Sequence, residues 1–196
     1  MPLISLIGMP GSGKSTVGRQ LARRLDVPFF DSDVEIETQV GCPIRVLFER
    51  EGEPRFREIE ESVIAEIVAK NEGVLATGGG VVLSEANRRE LRQKTTVIYL
   101  RSSPEELFRR LRYDTKRPLL QVADPLARLR ELYVARNEIY LQAAHFVIET
   151  GRPSMPMLVN TILTQLELAG LIDPFSVPST VDPLVFSPVH CPDEAP

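Results

Sequence analysis

The residues best suited to chemistry stand in the run GMPGSGKST, Gly8 to Thr16, where three glycines and a proline stand in front of a lysine and two hydroxyls. Gly8 to Ser15 fits G-x-x-x-x-G-K-[ST], a loop that cradles phosphates. A nucleoside triphosphate needs backbone N–H groups close on several sides, and a Cβ at Gly8, Gly11 or Gly13 would obstruct that approach or forbid the dihedrals. A helix starting near Lys14 would turn its unpaired N–H groups and positive dipole end toward the phosphates. Gly11, Ser12 and Gly13 then form the cradle, and Lys14 sets a full charge between the β and γ groups. Ser15 is placed to ligate Mg2+, and Thr16 to donate toward the α-phosphate. The alternative is a flexible strand-to-helix turn that holds no ligand.

Three further constellations point to an anionic alcohol as acceptor. Asp31 and Asp33 follow the apolar PFF, at the end of a strand where open α/β sheets place their sites. Two apart on an extended chain, they would face one way. One would orient Mg2+ through water and the other would accept a hydrogen bond from the reacting hydroxyl; alternatively, Asp33 caps the following helix. Arg57 precedes Glu60 by three residues on the apolar face marked by Phe56, Ile64 and Ile67. An inward arginine held by Glu60 would meet a substrate carboxylate or phosphate, or the two form a buried pair without a ligand. Arg136 shares a stripe with Leu129, Tyr133 and Tyr140 at 4, 3, 4 spacing, so it is a second inward cation or one that snorkels past the core rim.

Gly78, Gly79 and Gly80 strip every side chain from the rim of the third predicted strand. A ligand could then lie on the backbone, or the triplet is only a sharp turn. Arg109, Arg110, Arg112, Lys116 and Arg117 gather around YDTKRPLL. A closing lid that delivers an arginine to the transferring phosphoryl group is one reading, and a solvated basic loop the other. His145 and His190 have no evident partners and receive no catalytic role.

The elements that must position these groups alternate between short apolar runs and helical periods, the pattern of βαβ units with a parallel sheet covered on both faces. Strands are predicted near 3–7, 27–30, 73–77, 95–100 and 145–149. Helices are marked by Val17, Leu21 and Leu25, and by Ile59, Val63, Ile64, Ile67 and Val68. Further helices open with a capping Ser or Asp at SEANRREL, SPEELFRRL and DPLARLREL, and the last is predicted from about Met155 to Ala169. One domain over 1–170 is expected, with a lid at about 112–124. Residues 171–196, where prolines recur without any lysine or arginine, are expected to form a disordered tail or an extended strap.

Composition excludes several functions. A net charge of −4 gives no reason to expect a nucleic-acid partner. Cys42 and Cys191 are the two cysteines, too few for a disulfide framework. With no apolar run of membrane-spanning length and no room for a targeting peptide before Gly8, the expectation is a cytoplasmic protein, acting as a monomer, without membrane contact.

Taken together, GMPGSGKST, DSD, RFREIEESVI followed by VLATGGGVV, RPLL and ARNEIY resemble shikimate kinase, a family of P-loop folds akin to nucleoside-monophosphate kinases. The resemblance runs from about Leu3 to Ala169. It implies a three-layer α/β/α fold on a five-stranded parallel sheet of order 2-3-1-4-5. It also implies transfer of the γ-phosphoryl group of ATP, with Mg2+, to the 3-hydroxyl of shikimate. By the same resemblance Asp33 binds the reacting hydroxyl, Asp31 helps hold Mg2+, and Arg57 and Arg136 clamp the shikimate carboxylate, with Glu60 fixing Arg57. Gly79 and Gly80 correspond to backbone contacts to substrate, Arg117 to the lid arginine, and Arg110 and Arg152 to groups near the nucleotide base. The proline-rich extension has no counterpart. A kinase for another small acid such as gluconate, and a catalytically silent nucleotide-binding module, are the competing readings.

Overall fold

A computed structural model describes residues 2–112, 122, 124–151 and 153–173. Arg117, Arg152, most of the expected lid and the tail from residue 174 lie outside the described residues. Among those described, five strands form one parallel sheet: β1 (Ile4–Ile7), β2 (Phe29–Asp31), β3 (Val74–Ala76), β4 (Thr96–Arg101) and β5 (Phe146–Glu149). Their order is β2-β3-β1-β4-β5, as the resemblance implied. In register, Ile4 stands beside Val74 on one side and Thr96 on the other.

Alternation along the strands divides the core into two layers. Ile4 and Leu6 of β1 and Ile98 and Leu100 of β4 meet Val17 and Leu21 of α1 (Lys14–Leu25) and Leu158, Ile162 and Leu166 of α7 (Met155–Leu168). Ile7 of β1 and Val97 and Tyr99 of β4 face the opposite way. They pack under α3 (Ile44–Val68), α4 (Glu85–Lys94), α5 (Pro104–Leu111) and α6 (Pro125–Ala143). The capping residues read from sequence do cap. Ser84 accepts from the Asn87 amide, Asp124 from Ala127, and Ser103 forms a capping box with Glu106.

Two features depart from expectation. β2 ends at Asp31, and α2 (Ser32–Val40) begins at the next residue. Asp33 is therefore in the first turn of a helix, and the extended-chain geometry expected for the two aspartates does not apply. The capping carboxylate is Asp31, whose Oδ1 accepts from the Asp33 amide at 3.2 Å, rather than Asp33. The second departure is a break in α3 at Gly52, where φ is 80° and ψ 176°, with Pro54 opening the next turns. That proline can start a helical segment but cannot continue one.

Candidate active site

β1 leads into the phosphate loop. Gly8, Gly11 and Gly13 all have positive φ, at 146°, 84° and 95°, so the dihedral requirement read from the sequence is real. At Gly8 and Gly11 space is lacking as well. A Cβ would stand 2.7 Å from the Leu100 carbonyl oxygen and 2.6 Å from a Leu111 methyl respectively. Lys14 opens α1, and its Nζ donates to the carbonyls of Gly8 at 2.8 Å and Met9 at 3.0 Å, which holds the ammonium across the loop. Ser12 is buried with its hydroxyl 3.1 Å from where a Gly8 Cβ would be.

A cavity of about 430 Å3 opens on this loop. Pro10, Gly11, Gly13, Lys14, Ser15, Thr16, Asp33, Thr77, Gly79, Arg110 and Leu111 line it. Residues from four separate stretches of sequence thus surround one space large enough for a small ligand. Arg110 donates to the Thr150 carbonyl, which ties the end of α5 to the loop after β5. Asp31 is at the carboxyl end of β2, engaged as the cap of α2.

β3 delivers the three glycines, and each lets one functional group come close. A Cβ on Gly78 would stand 2.7 Å from Asp33 Oδ1 and 3.2 Å from Glu60 Oε1. On Gly79 it would strike Pro10 Cδ at 2.7 Å, and on Gly80 the two terminal nitrogens of Arg57 at 2.6 and 2.7 Å. The triplet makes room for the chain's own side chains. The amide of Gly78 is already committed to Ser32 Oγ at 2.9 Å.

Arg57 faces inward as its spacing indicated. It donates to Glu60 Oε2 at 2.6 Å and, through its other nitrogens, to Glu53 Oε1 at 3.2 and 2.9 Å. Burial opposes its charge, but the bonds and charges of Glu60 and Glu53 outweigh that and raise its pKa. Glu60 is only 1% exposed, and its Oε1 has no hydrogen-bond partner among the described residues. Burial pushes its carboxyl up, Arg57 pulls it back, and the nearby charges of Asp33 and Glu61 add to the rise. Removing Arg57 would leave Glu60 buried without its cation, which disfavours the charged carboxylate.

From α6, Arg136 donates to the Gly79 carbonyl at 3.3 Å, and the Tyr140 hydroxyl donates to the same oxygen at 2.5 Å. Burial raises the Tyr140 pKa to about 12, against the opposing influence of Arg136, so the hydroxyl is a donor at any ordinary pH. Ser32, Glu53 and Tyr140 are the positioning groups that the sequence reading missed. Glu53 stands four residues before Arg57, a spacing that could have revealed it. Ser32 and Tyr140 act on partners 46 and 61 residues away, for which no local signal exists.

A phosphate loop between the central strand and its helix, on a sheet of order 2-3-1-4-5, marks the class: a P-loop kinase fold. The chain matches the shikimate kinase family over residues 10–167. It is 57% identical over 174 residues to a shikimate kinase of Paracidovorax citrulli, an alignment covering 87% of this chain and 95% of that one. It is 53% identical over 171 residues to a shikimate kinase of Ralstonia nicotianae, covering 87% and 90%. The solved structure of shikimate kinase from Acinetobacter baumannii in complex with shikimate is similar at a TM-score of 0.82 and 42% identity, covering 88% of this chain and 96% of that one. The chain belongs to the shikimate kinase family, ATP-dependent kinases that phosphorylate shikimate in aromatic amino acid biosynthesis.

Proposed function

We propose that this chain transfers the γ-phosphoryl group of ATP to the 3-hydroxyl of shikimate, with Asp33 at the reacting hydroxyl and Arg57 and Arg136 on the carboxylate. The observation that carries this reading is the meeting of three stretches around the Gly78–Gly80 turn. Asp33 approaches Gly78, Pro10 of the phosphate loop packs on Gly79, and Arg57 rests on Gly80. Donor and acceptor sites thereby share one wall.

Phosphoryl transfer leaves the protein mostly positioning and charge neutralisation to perform. Gly11, Ser12, Gly13, Ser15 and Thr16 surround the phosphates, and the Lys14 ammonium neutralises the charge that shifts as the γ-phosphoryl moves. Asp33 accepts the proton of the attacking hydroxyl, or orients it. Arg57, held by Glu60 and Glu53, offers guanidinium N–H groups to the acceptor carboxylate, and Arg136 closes on the other side. Arg110 lies toward the nucleotide base, and Arg117 and Arg152, outside the described residues, complete the set proposed at the phosphates and base.

Mg2+ suits the oxygen donors present. Ser15 lines the cavity and Asp31 stands at the end of β2. Among the described residues no group of three or more His, Cys, Asp or Glu could form an all-protein cage, which agrees with an ion held largely by phosphate and water. Ser15 and Asp31 are the residues that would hold the ion, and it would supply charge neutralisation at the phosphates. Among the described residues no helix is long and apolar enough to cross a membrane, and we place the enzyme in the cytoplasm as a monomer.

A coupled assay of ADP release with a panel of alcohols tests the acceptor. Shikimate alone should stimulate turnover. Stimulation by gluconate would replace this acceptor with another, and no stimulation by any alcohol would leave a binding module.

A further inference from the structure

We infer that Tyr140 is a positioning residue for the acceptor: its hydroxyl fixes the Gly79–Gly80 peptide and Arg136 in the arrangement that receives the carboxylate. The inference rests on the reading above of Arg136 and Gly80 as acceptor contacts, and it adds a residue that touches no substrate.

Tyr140 is fully buried in the core between α6 and the sheet. A phenolic hydroxyl there must find a partner, since leaving it dry and unpaired is costly. Its partner is the carbonyl of Gly79, on the turn that carries the acceptor contacts. The peptide is planar and trans, so the Gly79 C=O and the Gly80 N–H point in opposite directions. Holding the carbonyl against α6 therefore aims the Gly80 N–H away from α6.

Three glycines in succession make a turn that many backbone conformations could satisfy. Two bonds from distant elements remove that freedom. Ser32 fixes the Gly78 N–H at one end, and Tyr140 fixes the Gly79 carbonyl at the other. Arg136 shares the Gly79 oxygen at a longer 3.3 Å. Without the Tyr140 hydroxyl the carbonyl would be left to Arg136 alone and would hold it more strongly against the substrate. Tyr140 is itself held, stacked on Tyr99 at 4.9 Å between ring centroids with 23° between planes. The Tyr99 hydroxyl donates to Asn137 Oδ1 at 3.0 Å, one turn before Tyr140 on α6.

Tyr140→Phe keeps the ring and its stack and removes only the hydroxyl. Steady-state kinetics should show KM for shikimate raised roughly 2–12-fold, the worth of about one hydrogen bond, with KM for ATP within about twofold. The same variant assayed with an analogue whose carboxylate is reduced to an alcohol should lose far less kcat/KM than with shikimate. Arg136→Ala is the control. If it abolishes the preference for acid over alcohol and Tyr140→Phe leaves that preference intact, the role of Tyr140 is refuted. If Arg136→Ala leaves the preference intact, the carboxylate reading itself fails and the role of Tyr140 falls with it. Should Tyr140→Phe not fold, Tyr99→Phe is read in its place. It should shift the acid-over-alcohol preference in the same direction by about 2–3-fold, and no shift overturns the inference.

Discussion

Gly80→Ala separates substrate recognition from folding. Gly80 has φ −101° and ψ −2°, a conformation open to alanine, so the substitution carries no backbone strain. It would reduce the freedom of the unfolded chain, worth about 0.4–1 kcal/mol in favour of the fold. The new methyl would stand 2.6 and 2.7 Å from the terminal nitrogens of Arg57. Those atoms must withdraw by about 1 Å to reach ordinary contact distance. They are the far end of a flexible side chain, so the fold yields easily there while the guanidinium leaves its working position. Losing a charge-assisted bond to the acceptor carboxylate costs about 1.5–3 kcal/mol, or roughly 10–150-fold in apparent affinity. The assay is a pair of substrate titrations with a thermal melt on the same preparation. KM for shikimate should rise by that factor, KM for ATP should stay within about twofold, and Tm should move by no more than about 4 °C. An unchanged shikimate KM in a folded variant would show that Arg57 does not serve the acceptor.

Asp33→Asn should lower kcat by about 10²–10⁴-fold if Asp33 is the base, and near-normal turnover would remove it from that role. Removing divalent cations with EDTA should abolish ADP release, and added Mg2+ should restore it; full turnover in the chelator would exclude the ion. His145 bears on stability instead. Its Nδ1 accepts from the Val97 amide at 3.0 Å, which requires the neutral ring. Burial and then the charge of Arg92 hold its pKa below 6.5. Its contribution is thus fully present above the unfolded pKa of about 6.5 and is lost as pH falls from there toward the folded value. His145→Gln should flatten the dependence of Tm on pH as pH falls below about 6.5, and parallel curves for both proteins would refute the linkage.

What could be read from the chain alone follows from how local each determinant is. The phosphate loop is a contiguous stretch whose glycine positions answer to dihedrals, and all three proved to have positive φ. The inward direction of Arg57 followed from helical spacing, because burial on one helix face is a periodic property, whereas spacing left Arg136 open between an inward cation and one at the core rim. The order of the strands came through resemblance, since no periodicity says which strand lies beside which. Local reasoning failed at Asp31 and Asp33, where the helix begins at the residue after the strand ends and the side-chain repeat changes from two to 3.6. It also left open what the three glycines serve. Their neighbours Asp33, Pro10 and Arg57 come from three other segments, and only the folded chain brings them together.

The most direct measurement is a crystal structure of the enzyme with shikimate and a nucleotide bound. Its carboxylate should lie within hydrogen-bond distance of both Arg57 and Arg136, with one ring hydroxyl on Asp33 facing the phosphates. Shikimate bound elsewhere, or both guanidinium groups turned out to bulk water, would contradict the assignment.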